Sequence, residues 1–149
     1  MKIILIAAIT LDGYIARNAN EKMTWSKDLS LFKKQTMGNP LIIGSNTYNS
    51  IDTSLNGRKT IVVHRTDNPK DIIENIKSKY SQCFIGGGGM INYRFSKYLT
   101  HLYLTPHPLI FNSGIRLFAK KTHEIKITLE KKILVNEKDN IVQYQYKVS

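Results

Sequence analysis

The sequence predicts an α/β fold: a mainly parallel central sheet with flanking helices and an antiparallel hairpin at its C-terminal end. Three observations carry this reading. Residues 2–9 are a continuous apolar run, as expected of a strand covered on both faces of a parallel sheet. Short apolar runs then alternate with segments of helical period across glycine- or proline-bearing turns, the rhythm of strand–helix–strand units. Last, residues 124–135 and 140–148 flank Glu137-Lys138-Asp139 and read as a closing hairpin.

Residues 10–24, rich in Asn, Gly and charge, have no period and read as a long loop, which in a compact domain usually serves function. Ser26 is placed to cap a helix running to about Met37, stopped by Gly38-Asn39-Pro40. Residues 41–43 form a short strand, and Gly44-Ser45-Asn46-Thr47 leads into a brief helix. Residues 59–63 form the next strand. Asn68-Pro69 opens a helix with Pro at its first position and Ile72, Ile73, Ile76 and Tyr80 on one face. Residues 82–85 form a strand that runs into Gly86-Gly87-Gly88-Gly89 and a helix to about Lys97, and residues 102–105 form the strand before the hairpin. No linker, repeat or low-complexity stretch divides the chain, so residues 1–149 are read as one domain.

A chain of 149 residues buries roughly two thirds of the surface its unfolded form exposes. The first apolar run is too short to span a bilayer and no cleavage pattern follows it, so a cytoplasmic location is expected. The single cysteine, Cys83, excludes an internal disulfide and a cysteine-built metal site. It reads as a packed core thiol. The net charge of +11 comes mainly from lysines scattered along the chain. They form no arginine-rich arm or aromatic-interleaved stripe, so specific nucleic-acid binding is not expected. A lysine-rich surface that steers phosphorylated or carboxylated ligands is. No metal and no membrane partner are expected, and the chain is read as a monomer.

In open α/β sheets ligands bind beyond the carboxyl ends of the strands, so the turns after Ile9, Ile43, Val63, Ile85 and Thr105 should converge on one cleft. Two of these turns lead through glycine into helices, where free backbone N–H groups favour phosphate. Neither has the spacing of a Rossmann fingerprint or a P-loop. Asp28 reads either as a first-turn carboxylate favoured by the helix dipole or as a ligand group. Leu29 and Phe32 fall on its side of the helix, so the carboxylate would border an apolar wall and accept two N–H donors of a flat heterocycle. Trp25 is a core residue or a cleft wall. Arg58 is a surface guanidinium or a carboxylate fork. His64 and Arg65 are solvated or hold a phosphate, and Thr105 matters because it ends a strand at the same cleft.

Taken together, Ala7-Ala8, Leu11-Asp12-Gly13-Tyr14-Ile15-Ala16, Trp25, Asp28-Leu29-Ser30-Leu31-Phe32-Lys33, the segment from Pro40 through Gly44-Ser45-Asn46-Thr47 to Ile51, Leu55-Asn56-Gly57-Arg58-Lys59, Ile85-Gly86-Gly87-Gly88 and Leu102-Tyr103-Leu104-Thr105 resemble a bacterial dihydrofolate reductase as far as about residue 105. The resemblance implies a catalytic set of Asp28, Thr105 and Trp25, with Asp28 binding the pterin and Thr105 as its hydrogen-bond partner. It implies substrate contacts from Ala8, Leu29, Phe32, Ile51 and Leu55, and a grip on the glutamate α-carboxylate by Arg58. NADPH would be held by Ala7, Ile15, Gly44, Ser45, Asn46, Thr47, His64, Arg65, Gly86, Gly87, Gly88, Gly89 and Met90, with an unusual Gly–Gly peptide in the glycine run. The implied reaction is NADPH-dependent reduction of 7,8-dihydrofolate to tetrahydrofolate.

Three features depart from the family pattern. The loop before Asp28 is short, Ser45-Asn46 stands where an Arg-His pair normally grips cofactor phosphates, and Ile91 takes the place of a tyrosine near the nicotinamide. Residues 11–16 and the stretch from Thr105-Pro106-His107-Pro108 to Phe118 look more like the riboflavin-pathway reductases of the same fold. A ribosylaminopyrimidine phosphate or another pteridine is therefore the alternative substrate. Asp28 with Arg58 favours folate, and Phe32 does too, because a ribosyl phosphate needs a phosphate clamp and no apolar channel for an aminobenzoyl ring.

Overall fold

The computed structural model describes residues 1–51 and 55–149. The apolar run at the start forms β1 (Lys2–Thr10), and it takes the middle place in a seven-stranded sheet. With β3 (Pro40–Gly44), β4 (Lys59–Val63), β5 (Gln82–Ile85), β6 (His101–His107), β8 (Ile127–Asn136) and β9 (Ile141–Val148), the order across the sheet is β4-β3-β5-β1-β6-β9-β8. The first five of these pair in parallel, and β9 and β8 close the sheet in antiparallel fashion. Parallel pairing puts Thr10, Gly44, Val63, Ile85 and His107 at one edge, which is where a ligand cleft belongs.

Period-two alternation in the strands separates two cores. Ile3, Leu5, Ile42, Cys83 and Ile85 face one side, where they meet Ile73 and Ile76 of α3 (Pro69–Lys77) and Ile91 and Phe95 of α4 (Gly89–Phe95). Ile4, Ile6, Leu41, Ile43 and Phe84 face the other, with Phe32 of α1 (Leu29–Thr36), Ile51, Leu55 and Tyr103 packed on them. Burial on both faces explains why β1 reads as an unbroken apolar run. Gln35 of α1 and Gln143 of β9 exchange two side-chain amide hydrogen bonds of 2.8 and 2.9 Å, which ties α1 to the antiparallel end of the sheet. Cys83 is buried, as a core thiol should be, and its pKa is pushed up to about 12 by burial.

The structure adjusts several expected boundaries. The helix expected from Ser26 begins at Leu29, and its N-cap residue is Asp28, whose side chain makes no capping bond. Ser26 lies too far upstream to cap, and its buried hydroxyl has no partner among the described residues. The helix after the glycines ends at Phe95 and continues as a 3-10 turn, Ser96–Tyr98. The first hairpin strand begins at Ile127, three residues later than expected. The segment read as a plain loop holds β2 (Tyr14–Ala16), which pairs with β7 (Ile115–Arg116) about a hundred residues away. Such a short pairing leaves no local period to read.

Candidate active site

At the carboxyl edge of the parallel strands lies a cleft of about 990 Å³, the upper end of the size of ligand sites. Ile6, Ala7 and Ala8 of β1 form its floor, and Ile15, Ala16 and Met23 from the segment after β1 form one wall. Leu29, Phe32 and Ile51 line one end, on the side of the sheet covered by α1. Gly44 to Thr47, His64, Arg65 and the four glycines line the other.

At the first end the dominant feature is Asp28, a carboxylate only 6% exposed. Burial raises its pKa above the ordinary value, and the Thr105 and Ser26 hydroxyls offset this only in part. Thr105 is fully buried, and neither hydroxyl meets hydrogen-bond geometry. Two orphaned hydroxyls beside a desolvated carboxylate form a polar end that a ligand with ring N–H groups would complete. Arg58 lies beyond: its Nε donates to Thr36 Oγ1 at 2.9 Å and its guanidinium sits 5.9 Å over the Phe32 ring. Partial burial lowers its pKa, yet a guanidinium stays charged.

At the second end the glycine run bends sharply around Thr47. Gly87 has φ +96°, the Gly87–Gly88 peptide is cis, and Gly44 N–H donates to Gly87 O at 2.9 Å. The unusual Gly–Gly peptide expected in this run is therefore present. A Cβ on Gly88 would stand 3.4 Å from Thr47 Oγ1 and one on Gly87 3.8 Å from it, so the bare backbone leaves a cradle that side chains would fill. The helix after Gly44, α2 (Ser45–Ser50), and α4 have no acidic residue in their first turns. That leaves both helix starts attractive to anions. This backbone-lined cradle fits a dinucleotide phosphate chain.

Most of the expected site residues meet in this one cleft. Among those that do not line it, Thr105 sits beneath Asp28, and Leu55 packs on the core next to Ile51. Trp25 faces away: its indole packs edge-on against His107 and Phe111, with ring centroids 5.2 and 5.3 Å apart, and donates to Glu21 Oε1 at 3.2 Å. Several lining residues were not foreseen. Arg94 reaches in from α4, its guanidinium held by the carbonyls of His64 and Asp67. Glu21 lines the wall and accepts from Arg17 N at 3.1 Å and Arg17 Nη1 at 2.8 Å. Burial pushes the Glu21 pKa up, but the bonds and charge from Arg17 and the Trp25 N–H outweigh it and leave it lowered. No sequence period marks either residue: Glu21 is held by Arg17 and Trp25 in a non-periodic segment, and Arg94 is turned to the cleft by carbonyls 27 and 30 residues away.

A model of the family described as dihydrofolate reductase matches residues 2–148. The chain belongs to the dihydrofolate reductase family. It is 30% identical over 150 residues to the dihydrofolate reductase of Buchnera aphidicola subsp. Baizongia pistaciae, covering 93% of this chain and 90% of that one. It is 26% identical to the type 9 dihydrofolate reductase of Escherichia coli over 97% of this chain and 88% of that one. Among solved structures, the Enterococcus faecalis dihydrofolate reductase complexed with NADP(H) and RAB-propyl has a TM-score of 0.71 at 17% identity, covering 99% of this chain and 96% of the other. A Shewanella sp. PV-4 protein assigned to riboflavin biosynthesis has a TM-score of 0.69 at 20% identity, covering 100% of this chain and 99% of the other. These two structures share the fold.

Among the described residues no helix is long and apolar enough to cross a membrane, and no group of His, Cys, Asp and Glu is arranged to hold a metal ion.

Proposed function

We propose that this chain reduces 7,8-dihydrofolate to 5,6,7,8-tetrahydrofolate with NADPH, and that Asp28 is the residue on which the substrate ring is held. The observation that carries the reading is the buried Asp28 carboxylate and the glycine cradle at two ends of one cleft. NADPH supplies the hydride when bound. The chain orients the two reactants and excludes water between them.

Asp28 accepts ring N–H donors, and its negative charge raises the proton affinity of the ring to be reduced. The proton needed at N5 arrives from water, because the carboxylate holds the far side of the heterocycle. Thr105 donates its free hydroxyl beside Asp28. Ala8, Leu29, Phe32, Ile51 and Leu55 supply the apolar walls of the aminobenzoyl channel, and Arg58, steadied by Thr36, forks the glutamate carboxylate. On the cofactor side, Ala7 and Ile15 flank the nicotinamide. Gly44 to Thr47 and Gly86 to Met90 cradle the phosphates. Arg65 and Arg94 supply the positive charge that Ser45-Asn46 does not, and His64 stands beside them as a hydrogen-bonding group. The segment that contains β2 and Met23 forms the lid.

The alternative, a ribosylaminopyrimidine phosphate, is supported by the likeness to the Shewanella structure and by the stretch from Thr105 to Phe118. The apolar substrate end built from Leu29, Phe32 and Ile51 favours folate over a ribosyl phosphate. We read the protein as a cytoplasmic monomer that binds small molecules and not nucleic acid. The test is to follow loss of NADPH absorbance with dihydrofolate beside the ribosylaminopyrimidine phosphate, and with NADH in place of NADPH. Turnover of the pyrimidine alone would overturn the folate reading.

A further inference from the structure

His107, the last residue of β6, takes no part in the chemistry described above, yet it is only 1% exposed. Its Nε2 accepts the backbone N–H of Lys27 at 2.9 Å. Its Nδ1 lies 2.8 Å from the Thr105 carbonyl oxygen. A backbone N–H can only donate and a carbonyl can only accept, so Nε2 is bare and Nδ1 carries the proton. The ring is therefore neutral, and both of its nitrogens are used.

The two bonds end on particular neighbours. Lys27 directly precedes Asp28 in an irregular stretch of chain, and Thr105 is the residue whose hydroxyl faces the Asp28 carboxylate. Trp25 holds the imidazole plane, packing edge-on at 88° and itself fastened by Phe111 and Glu21. A polar ring at a buried position carries a desolvation cost that Phe or Leu would not. Here the bond from Lys27 joins the segment bearing Asp28 to β6, and the bond to the Thr105 carbonyl, within that strand, fixes the ring that receives it.

We propose that His107 is a positioning residue for the reduction: as the Nδ1–H tautomer it spans from the Lys27 amide to the Thr105 carbonyl and sets the Asp28 carboxylate against the Thr105 hydroxyl. Trp25, which does not line the cleft, acts at second hand by fixing this ring. The proposal rests on the reading of Asp28 as the group that holds the substrate ring.

Three substitutions separate the two bonds. His107→Phe keeps the ring and its packing on Trp25 but removes both. His107→Gln places an amide oxygen near the Nε2 position, where it accepts from Lys27. His107→Asn places an amide N–H near the Nδ1 position, where it donates to Thr105. The Phe variant should lose about tenfold or more in kcat/KM for dihydrofolate while the NADPH Kd changes less than about twofold. The Gln variant should recover most of that loss and the Asn variant little, because the Lys27 bond is the one next to Asp28. In the wild-type protein, nitrogen NMR should find His107 protonated at Nδ1 alone, and the Lys27 amide should exchange slowly with solvent although its side chain is exposed.

A fast-exchanging Lys27 amide or a protonated Nε2 would overturn the proposal without any variant, and so decides it even if the Phe variant fails to fold. Equal losses of NADPH binding and dihydrofolate turnover would make His107 a core ring only. An unchanged Phe variant beside a crippled Asp28→Asn variant removes His107 and leaves the reading of Asp28 standing. An active Asp28→Asn variant removes that reading instead.

Discussion

Asp28 illustrates how function and stability oppose each other at a single residue. Asp28→Asn keeps the shape but removes the charge, so activity at neutral pH should fall by two or more powers of ten, roughly 3 kcal/mol of transition-state stabilisation. The variant's rate should climb as the pH is lowered and the substrate arrives already protonated, and a wild-type pH profile would remove Asp28 from the chemistry. Stability should move the other way. Because burial raises the folded pKa of Asp28 above its ordinary 3.8, the carboxylate costs stability above the raised pKa, and that cost fades as pH falls through it toward 3.8. The Asn variant should therefore melt higher than wild type at neutral pH, by roughly 3 °C for each kcal/mol in a chain of this size. The gap should close in acid, as thermal melts across pH would record. Arg58 makes the complementary case. Arg58→Leu should raise the dihydrofolate KM more than about tenfold, from the loss of roughly 1.5–3 kcal/mol of charge-assisted hydrogen bonding, with NADPH binding intact. Weakened NADPH binding with normal folate kinetics would refute the clamp.

The pairing of β2 with β7 carries much of the cleft wall, since Ile15, Ala16 and Ile115 all line it. Gly114 makes this pairing possible: it has φ +130°, and a Cβ there would stand 2.3 Å from Ala16 O and 3.1 Å from Arg17 Cα. Gly114→Ala should cost on the order of 1–3 kcal/mol in backbone strain alone. It should also weaken NADPH binding, as a melt and a fluorescence titration would together show. Gly13→Ala is the control, because Gly13 has φ +89° but nothing within 4 Å of its would-be Cβ. It should lose stability through strain yet bind NADPH more nearly as wild type does. Equal NADPH affinity in the two variants would mean that the ribbon does not shape the cofactor site.

At the scale of the whole molecule the charge of +11 acts at a distance on two anionic reactants. The Debye length shrinks from about 30 Å at 0.01 M salt to about 10 Å at 0.1 M. Over that range kcat/KM for NADPH should fall several-fold while kcat holds steady, because steering changes encounter and not chemistry. A kcat/KM independent of salt would mean that the lysines serve solvation only.

Local pattern was enough to read the sheet. The apolar run of β1, the proline start of α3, the glycines after β5 and the final hairpin all express constraints within a few residues, and parallel pairing then brings their turns to one edge. Family motifs placed most of the cleft residues as well, with Asp28 beside Leu29 and Phe32 at one end and the glycines at the other. Other features depend on contacts far apart in sequence and leave no periodic trace. β2 exists because residues about a hundred positions later pair with it. Asp28 is costly and not a favourable helix charge, because the fold buries it and the Thr105 and Ser26 hydroxyls beside it offset that desolvation only in part. Trp25 turns from the cleft toward His107 because Glu21 and Phe111 hold its indole there. Burial and hydrogen-bond partners come from the whole fold, so the direction of a pKa shift and the facing of a side chain are settled only when distant segments meet.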